Sequence, residues 1–261
     1  MKRPIAALMQ PTFMPWQGYF ALLDQVDVFV HLDDFQFSRQ SFQQRNRLFV
    51  SGTAPGWITV PVAHSSSSDR DISQLSLNSV SPCIDARFRK KFQGLLTTNY
   101  RSCAFFDEIA PVLLGWINDD YQTLAALNIA LINRLAHCLD IATTQLQSSQ
   151  MQAQGKRSDR VASLLRKIEA TTYIAANGAF DYMHEDAVFP LADIQVFFQQ
   201  FVPASYPQRQ SREFVSHLSV VDLLFQVGPS LALDVIRQGN RRPLSWMERL
   251  SQQSQASDKP Y

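Results

Sequence analysis

Two adjacent carboxylates, Asp33 and Asp34, close an apolar run at residues 26–32. An acid pair beside basic groups could hold a divalent metal or act as a general base. In an extended chain neighbouring side chains point to opposite faces. One of the pair is therefore expected to face a site and the other to serve the structure, and either could be the one. Gln10, Thr12, Trp16, Gly18 and Tyr19 precede the pair; Gln36, Arg45, Asn46 and Arg47 follow it. Ser148, Ser149, Lys156 and Arg160 can join from further along. A Ser pair, a glycine and basic groups before a helix start suit an anion, because free N–H groups and the helix dipole favour negative charge there. Lys156 or Arg160 could add a charged hydrogen bond to phosphate or carboxylate. The plainer reading makes Ser158 or Asp159 an ordinary cap. Tyr206 and Gln208 sit in a loop, a common place for substrate contacts.

Other chemistries find no pattern. The stretch around Gly155-Lys156 lacks P-loop spacing. No Ser-His-Asp order, Cys-His pairing or metal-binding His spacing occurs. Of five scattered histidines, only His31 lies in the run that ends at Asp33.

The elements that must position these groups read as strand, tight turn, helix, strand. Residues 5–9 form a buried strand, Gln10-Pro11-Thr12 breaks it, and Phe20, Leu22 and Leu23 give residues 16–24 a helical stripe. Residues 26–32 form the second strand. The first turn then lies at the carboxyl end of a strand, where open α/β sheets bind ligands. Residues 48–50 and 57–62, joined through Gly52, Pro55 and Gly56, suggest a hairpin that makes the sheet mixed. The Ser cluster at 65–68 and the charges at 69–71 read as a solvated loop, and 72–77 as a short strand. Ser81-Pro82 looks like a helix start. Arg87, Arg89, Lys90 and Lys91 form a solvated face on that helix. Helices at 103–117, kinked near Pro111, and at 123–139 supply packing. Strands follow at 143–147, 173–175 and, last, 195–198. A helix at 218–226 carries Asp222, paired with a cation or capping a neighbour. A final helix at 231–237 precedes a frayed polar tail at 251–261.

The predicted fold is α/β: a mixed, mainly parallel sheet with helices on both faces and a small helical C-terminal part. Residues 1–205 form the core domain, with an inserted helical segment at about 82–140, and residues 206–261 form a helical extension packed on it. A formal charge of +1 gives no electrostatic case for nucleic acid or an anionic membrane. No apolar run approaches a membrane span, and the N-terminal run is too short for a signal peptide. Cys83, Cys103 and Cys138 are odd in number and widely spaced, which suits a reducing cytoplasm.

Several motifs carry a family resemblance. QPTFMPWQGYF, followed by DVFVHLDDFQFSRQSFQQRNR, then WITVPV, SSQMQAQGKRSDR, YIAANGAFDYM and YPQRQSREFVSHLSVVDLLFQVG, occur in order along most of the chain. Together they resemble the WbqC-like protein family. The family tends towards Asn where this chain has Gln226. The resemblance implies surface polysaccharide or O-antigen biosynthesis and a small acyl or amino-acyl transfer, of the glycine-transferase kind. A phosphate-bearing small molecule is then the expected partner, with magnesium and a nucleotide as the cofactor combination to test. The opening unit also has the outline of nucleotidyl-transferring domains, although their paired-His signature is absent where Trp16-Gln17-Gly18-Tyr19 stands. A non-catalytic binding or assembly protein of the same pathway is the remaining alternative.

Overall fold

The computed structural model describes residues 3–63 and 75–257. The chain opens with β1 (Ile5–Met9), α1 (Gln17–Asp24) and β2 (Val28–His31). The hairpin β3 (Arg45–Ser51) and β4 (Ala54–Thr59) comes next, then the short pair β5 (Val62–Ala63) and β6 (Ser81–Pro82). Three helices follow: α2 (Ala86–Tyr100), α3 (Phe106–Asn118) and α4 (Leu124–Cys138). The chain continues through β7 (Thr144–Gln147), α5 (Arg157–Lys167), β8 (Thr172–Ala175), α6 (Phe180–Glu185) and β9 (Gln195–Phe201). It ends with α7 (Val220–Val227), α8 (Pro229–Gln238), β10 (Asn240–Ser245) and α9 (Trp246–Ser257).

Six strands make the central sheet, in the order β10-β9-β8-β1-β2-β7. Every neighbouring pair is parallel except β10 with β9. The fold is thus α/β, with a mixed, mainly parallel sheet. From β1 the chain moves outward to β2 and β7, then returns to the other side of β1 to lay down β8 and β9. The direction of winding reverses between β1 and β8. That reversal is the topological switch point of a doubly wound sheet, where ligands enter the crevice outside the strand ends.

Side chains alternate across the sheet, as a period of two requires. Ala6, Leu8, Val30, Tyr173, Ala175, Val196 and Phe198 pack into one core with residues of α5, α6 and Trp246 of α9. Ala7, Phe29 and Ile174 point the other way, into a larger core built with α1, α4 and α7. Helices therefore cover both faces.

Several elements differ from expectation. The sheet is mixed because β10 runs antiparallel on its edge; β3 and β4 form a separate two-stranded sheet. Ser81-Pro82 starts no helix but pairs with β5, and α2 begins after Asp85, whose carboxylate accepts the Phe88 amide at 2.7 Å. Residues 195–198 are not the last strand, and 231–237 is not the last helix. The sequence NRRPLS hides β10 because it reads as charged, proline-bearing loop. Those residues suit an edge strand, where one side of the backbone has no partner, and the register shifts between Arg241 and Leu244. Most of the expected frayed tail is α9. Ser245 and Glu248 cap it reciprocally: Glu248 accepts the Ser245 amide at 2.8 Å, and Ser245 Oγ accepts the Glu248 amide at 3.3 Å. The S-x-x-E pattern was the readable sign of that start. The expected solvated loop at 65–71 lies outside the described residues, as does the first half of the expected strand at 72–77. Of its second half, Ser76 makes only an isolated antiparallel bridge with Gln36, and Leu77 opens a 3-10 turn.

Candidate functional site

A cleft of about 800 Å³ opens at the switch point. Gln10 and Thr12, just past β1, line one side, and Asp34 and Gln36, past β2, continue it. Lys156 and Arg160 enter from the start of α5, and Ala176 and Tyr182 from beyond β8. The cleft therefore lies at the carboxyl ends of three parallel strands.

The turn between β1 and α1 is shaped by two buried asparagines. Asn46 Nδ2 donates to the carbonyls of Phe13 (3.1 Å) and Met14 (2.8 Å). Asn128 Nδ2 donates to Pro11 O (3.0 Å) and Gln43 O (2.7 Å). Both satisfy carbonyls that a tight turn leaves without backbone partners. Gln43 then holds Gln10, donating to its Oε1 at 2.7 Å and to Gln36 O at 3.2 Å. Sequence reasoning passed over Gln43 and Asn128. Asn128 sits in the leucine-striped α4, where one polar residue facing inward was the available sign.

The two carboxylates have separate fates. Asp33 is buried beneath the cleft and accepts Ser149 N (3.0 Å), Ser149 Oγ (2.6 Å) and Ser148 Oγ (3.1 Å). Asp34 is half-buried and faces the cleft. Its Oδ1 accepts Ser148 Oγ at 2.5 Å, and its Oδ2 forms an ion pair with Arg160. A hydroxyl carries one proton. Ser148 gives it to the nearer Asp34, and Asp33 relies on the two donors of Ser149. The Ser pair after β7 therefore ties two strand ends together.

The basic groups divide in the same way. Arg160 is committed to Asp34 and lies 5.9 Å above the Phe35 ring. Arg157 pairs with Glu185 at 3.0 Å and Asp186 at 3.1 Å. Asp186 also accepts the Ser158 amide at 3.3 Å and Ser158 Oγ at 2.7 Å. The Ser158 hydroxyl holds the Asp186 carboxyl below its usual range. This acid already serves the positive end of α5. Neither Ser158 nor Asp159 caps the helix; Lys156 stands at the cap position. Lys156 is exposed, with no ion-pair partner among the described residues. Gly155, at φ 88°, supports this turn, and a Cβ there would come 2.8 Å from Asp159 Cβ.

Other predicted site residues lie outside the cleft. Tyr19 is buried in the larger core, with its hydroxyl 3.3 Å from His31 Nδ1. His31 Nε2 is 2.8 Å from Gln145 Oε1, and burial pushes the imidazole down to about 4. Trp16 stacks on His217 at 4.8 Å and covers Gly18, where a Cβ would meet its ring at 2.3 Å. Arg45, Asn46 and Arg47 belong to β3. Tyr206 and Gln208 surround Asp222: Tyr206 Oη donates at 2.5 Å, Gln208 Nε2 at 3.1 Å and Tyr100 Oη at 2.9 Å. Asp222 thus has neutral donors in place of the expected cation or cap. Gln226 accepts the Arg209 amide at 3.2 Å and donates to Gln210 at 2.6 Å.

Among the described residues no group of three or more His, Cys, Asp or Glu could hold a metal. Asp34 is the one acid lining the cleft among those residues, and both its oxygens are engaged. With these partners in place, Asp34 offers magnesium no free oxygen.

The sequence model of the WbqC-like protein family matches residues 10–232. The chain belongs to this family. The WbqC-like match includes every cleft element past β1, from Gln10 to Tyr182. A relative described as "Uncharacterized protein Rv1507c" from Mycobacterium tuberculosis is 29% identical over 223 residues, covering 85% of this chain and 93% of the relative. No solved structure matches. No helix among the described residues is long and apolar enough to cross a membrane.

Proposed function

We propose that this WbqC-like protein is a transferase that moves a small acyl or amino-acyl group, as a glycine transferase would, onto a surface polysaccharide precursor such as that of O-antigen. The donor or acceptor bears phosphate, and the reaction takes place in the cytoplasm. One observation carries the reading. A carboxylate (Asp34), its guanidinium partner (Arg160) and a lysine with no ion-pair partner among the described residues (Lys156) converge in a cleft at the switch point of a doubly wound sheet.

The chemistry follows from an exchange of partners. A ligand phosphate draws Lys156 and competes with Asp34 for Arg160. Once released, Asp34 Oδ2 accepts the proton of an attacking amine or hydroxyl, while Ser148 keeps the carboxylate in place through Oδ1. The attacking atom bonds to the acyl carbon, the bond from that carbon to its carrier breaks, and the carrier leaves with the electron pair.

A second reading, nucleotidyl transfer, rests on analogy with the opening strand, turn, helix and strand, and in it the same basic groups hold a nucleotide. A thermal-shift screen separates them. Nucleoside triphosphates, nucleotide sugars, coenzyme A thioesters and amino acids are each tried with and without magnesium. A ligand at about a hundred times its dissociation constant stabilises a fold by roughly 2.7 kcal/mol. A shift with triphosphate supports nucleotidyl transfer; one with nucleotide sugar or thioester supports acyl transfer. No shift with any of them favours an assembly role.

A further inference from the structure

The carboxamide of Gln10 stands just past β1 and lines the cleft. Which of its ends meets a ligand is fixed by Gln43, buried beside it. Gln43 presents one amide atom 2.7 Å from Ser38 N, which can only donate, so that atom is Oε1. Its other atom lies 3.2 Å from Gln36 O, which can only accept, so that atom is Nε2. The remaining proton of Gln43 Nε2 goes to Gln10 at 2.7 Å, and only an oxygen can receive it. Gln10 is therefore held by Oε1. Its Nε2 is neither buried nor hydrogen-bonded among the described residues, and it faces the cleft.

Gln43 is anchored in turn. Its carbonyl accepts Nδ2 of the fully buried Asn128 at 2.7 Å. The donor at residue 10 is thus ordered before any ligand arrives, which lowers the entropy cost of using it. The surroundings select its acceptor. Met9 pairs with His31, and Leu32 N donates to Met9 O at 2.9 Å, so Gln10 stands beside the chain that leads to Asp34. Lys156 and Arg160 enter from α5, and their charge suits phosphate. A neutral N–H pair on the other wall suits a carbonyl oxygen, a bare acceptor that gains charge during acyl transfer.

We propose that Gln10 Nε2 donates to the acyl oxygen of the transferred group, and that Gln43 is the residue that positions it. The assignment rests on the transferase reading above. As the attacking atom bonds to the acyl carbon, the carbonyl electron pair moves onto the oxygen, where Gln10 stabilises it. The pair returns when the bond to the carrier breaks, and the attacker's proton goes to Asp34.

Acetonylphosphonate and propylphosphonate carry the same phosphonate with and without a carbonyl, and both are titrated into the full chain by NMR. The side-chain amide signal of Gln10 is assigned by its absence from Gln10→Glu. Acetonylphosphonate should move that signal and propylphosphonate should not. The native chain should prefer the ketone by about two- to tenfold, the scale of one hydrogen bond. Gln10→Glu still accepts from Gln43 but has no donor, so the preference should vanish; its charge weakens both probes and leaves their ratio readable. Gln43→Glu gives Gln10 an acceptor and turns its amide over. The preference should then vanish with Gln10 intact while propylphosphonate still binds, which separates a turned amide from a damaged cleft. An unmoved Gln10 signal, or a preference that survives Gln10→Glu, overturns the proposal. If propylphosphonate meanwhile binds and weakens in Lys156→Ala, the phosphate-holding cleft stands without this donor. If acetonylphosphonate moves Gln10 but is indifferent to Lys156→Ala, the donor stands and the phosphate site falls. If neither phosphonate binds, both fall.

Discussion

Asp34 and Asp222 are both carboxylates set among hydroxyl donors, yet they occupy opposite kinds of environment. Asp222 is fully buried and receives neutral donors from Tyr100, Tyr206 and Gln208. Burial pushes its carboxyl above the usual range, against the pull of those hydrogen bonds. Asp34 opens to a cleft, shares one hydroxyl with Asp33, and has a charged partner that a ligand can draw away. A carboxylate with its donors sealed around it is committed to the fold. One whose counter-ion faces solvent can change partners, and that difference separates a structural acid from a candidate catalytic one.

The largest expected effect strikes the sealed acid. Asp222→Ala leaves the buried hydroxyls of Tyr100 and Tyr206 without their acceptor, each costing about 1–3 kcal/mol, while Gln208 Nε2 keeps Val215 O. We expect urea denaturation to show a loss of about 4 kcal/mol or more, with Asp222→Asn milder because it keeps an acceptor. Equal, small losses for both variants would mean that the network contributes little.

The same substitution at the cleft should divide differently. Asp34→Asn keeps the shape and should lower turnover by about a hundredfold or more, the scale of a general base. Its stability should fall by about 1–3 kcal/mol, because the pair with Arg160 is largely buried and the guanidinium loses its counter-charge. A variant that loses binding and turnover in equal measure would place Asp34 among the binding groups only.

These two acids also show how far the sequence could be read. The opening unit was legible because its strands are short apolar runs and its turn is marked by Pro11 and Pro15. The mainly parallel sheet followed from strands alternating with helices. β10 escaped because an edge strand needs no apolar period. At the site, Asp34, Gln10, Thr12, Gln36, Lys156 and Arg160 do come together in the cleft, as their type and order suggested. Tyr206 and Gln208 stand apart from that cleft and donate to Asp222. Their packing against that acid depends on contacts distant in sequence, from Tyr100 on α2 and from α7. No local pattern encodes such a meeting.

A third test concerns the strand beneath Asp33 and Asp34. His31 titrates near 6.5 in the unfolded chain and about 4 in the fold, chiefly because burial disfavours its charge. Between these values the unfolded chain binds a proton that the native state refuses. Stability is therefore fully present above about pH 6.5 and falls as pH drops towards 4, by about 3 kcal/mol at most. Urea midpoints at pH 7 and pH 5 should diverge for the native chain and converge for His31→Gln, which puts a polar amide in place of the imidazole but cannot titrate. A His31→Gln profile as steep as the native one would move the pH dependence to other groups.

The smallest effect belongs to the basic face of α2, and it bears on the comparison by excluding a competitor. Arg87, Arg89, Lys90 and Lys91 are exposed, on a helix anchored by Phe88, Phe92 and Leu96 in the larger core. Arg89 reaches only the carbonyl of Asn118, at 3.4 Å. None of the four lines the cleft. Changing all four to Gln should alter stability by less than about 0.5 kcal/mol, as for surface positions without special partners. It should also leave the affinity for a phosphate-bearing ligand unchanged at moderate salt, where exposed charges beyond about 8–10 Å are screened. If that affinity fell as far as it does for Lys156→Ala, the anion would sit on α2. Asp34 would then lose its place in the reaction, because a carboxylate can only act on a ligand held beside it.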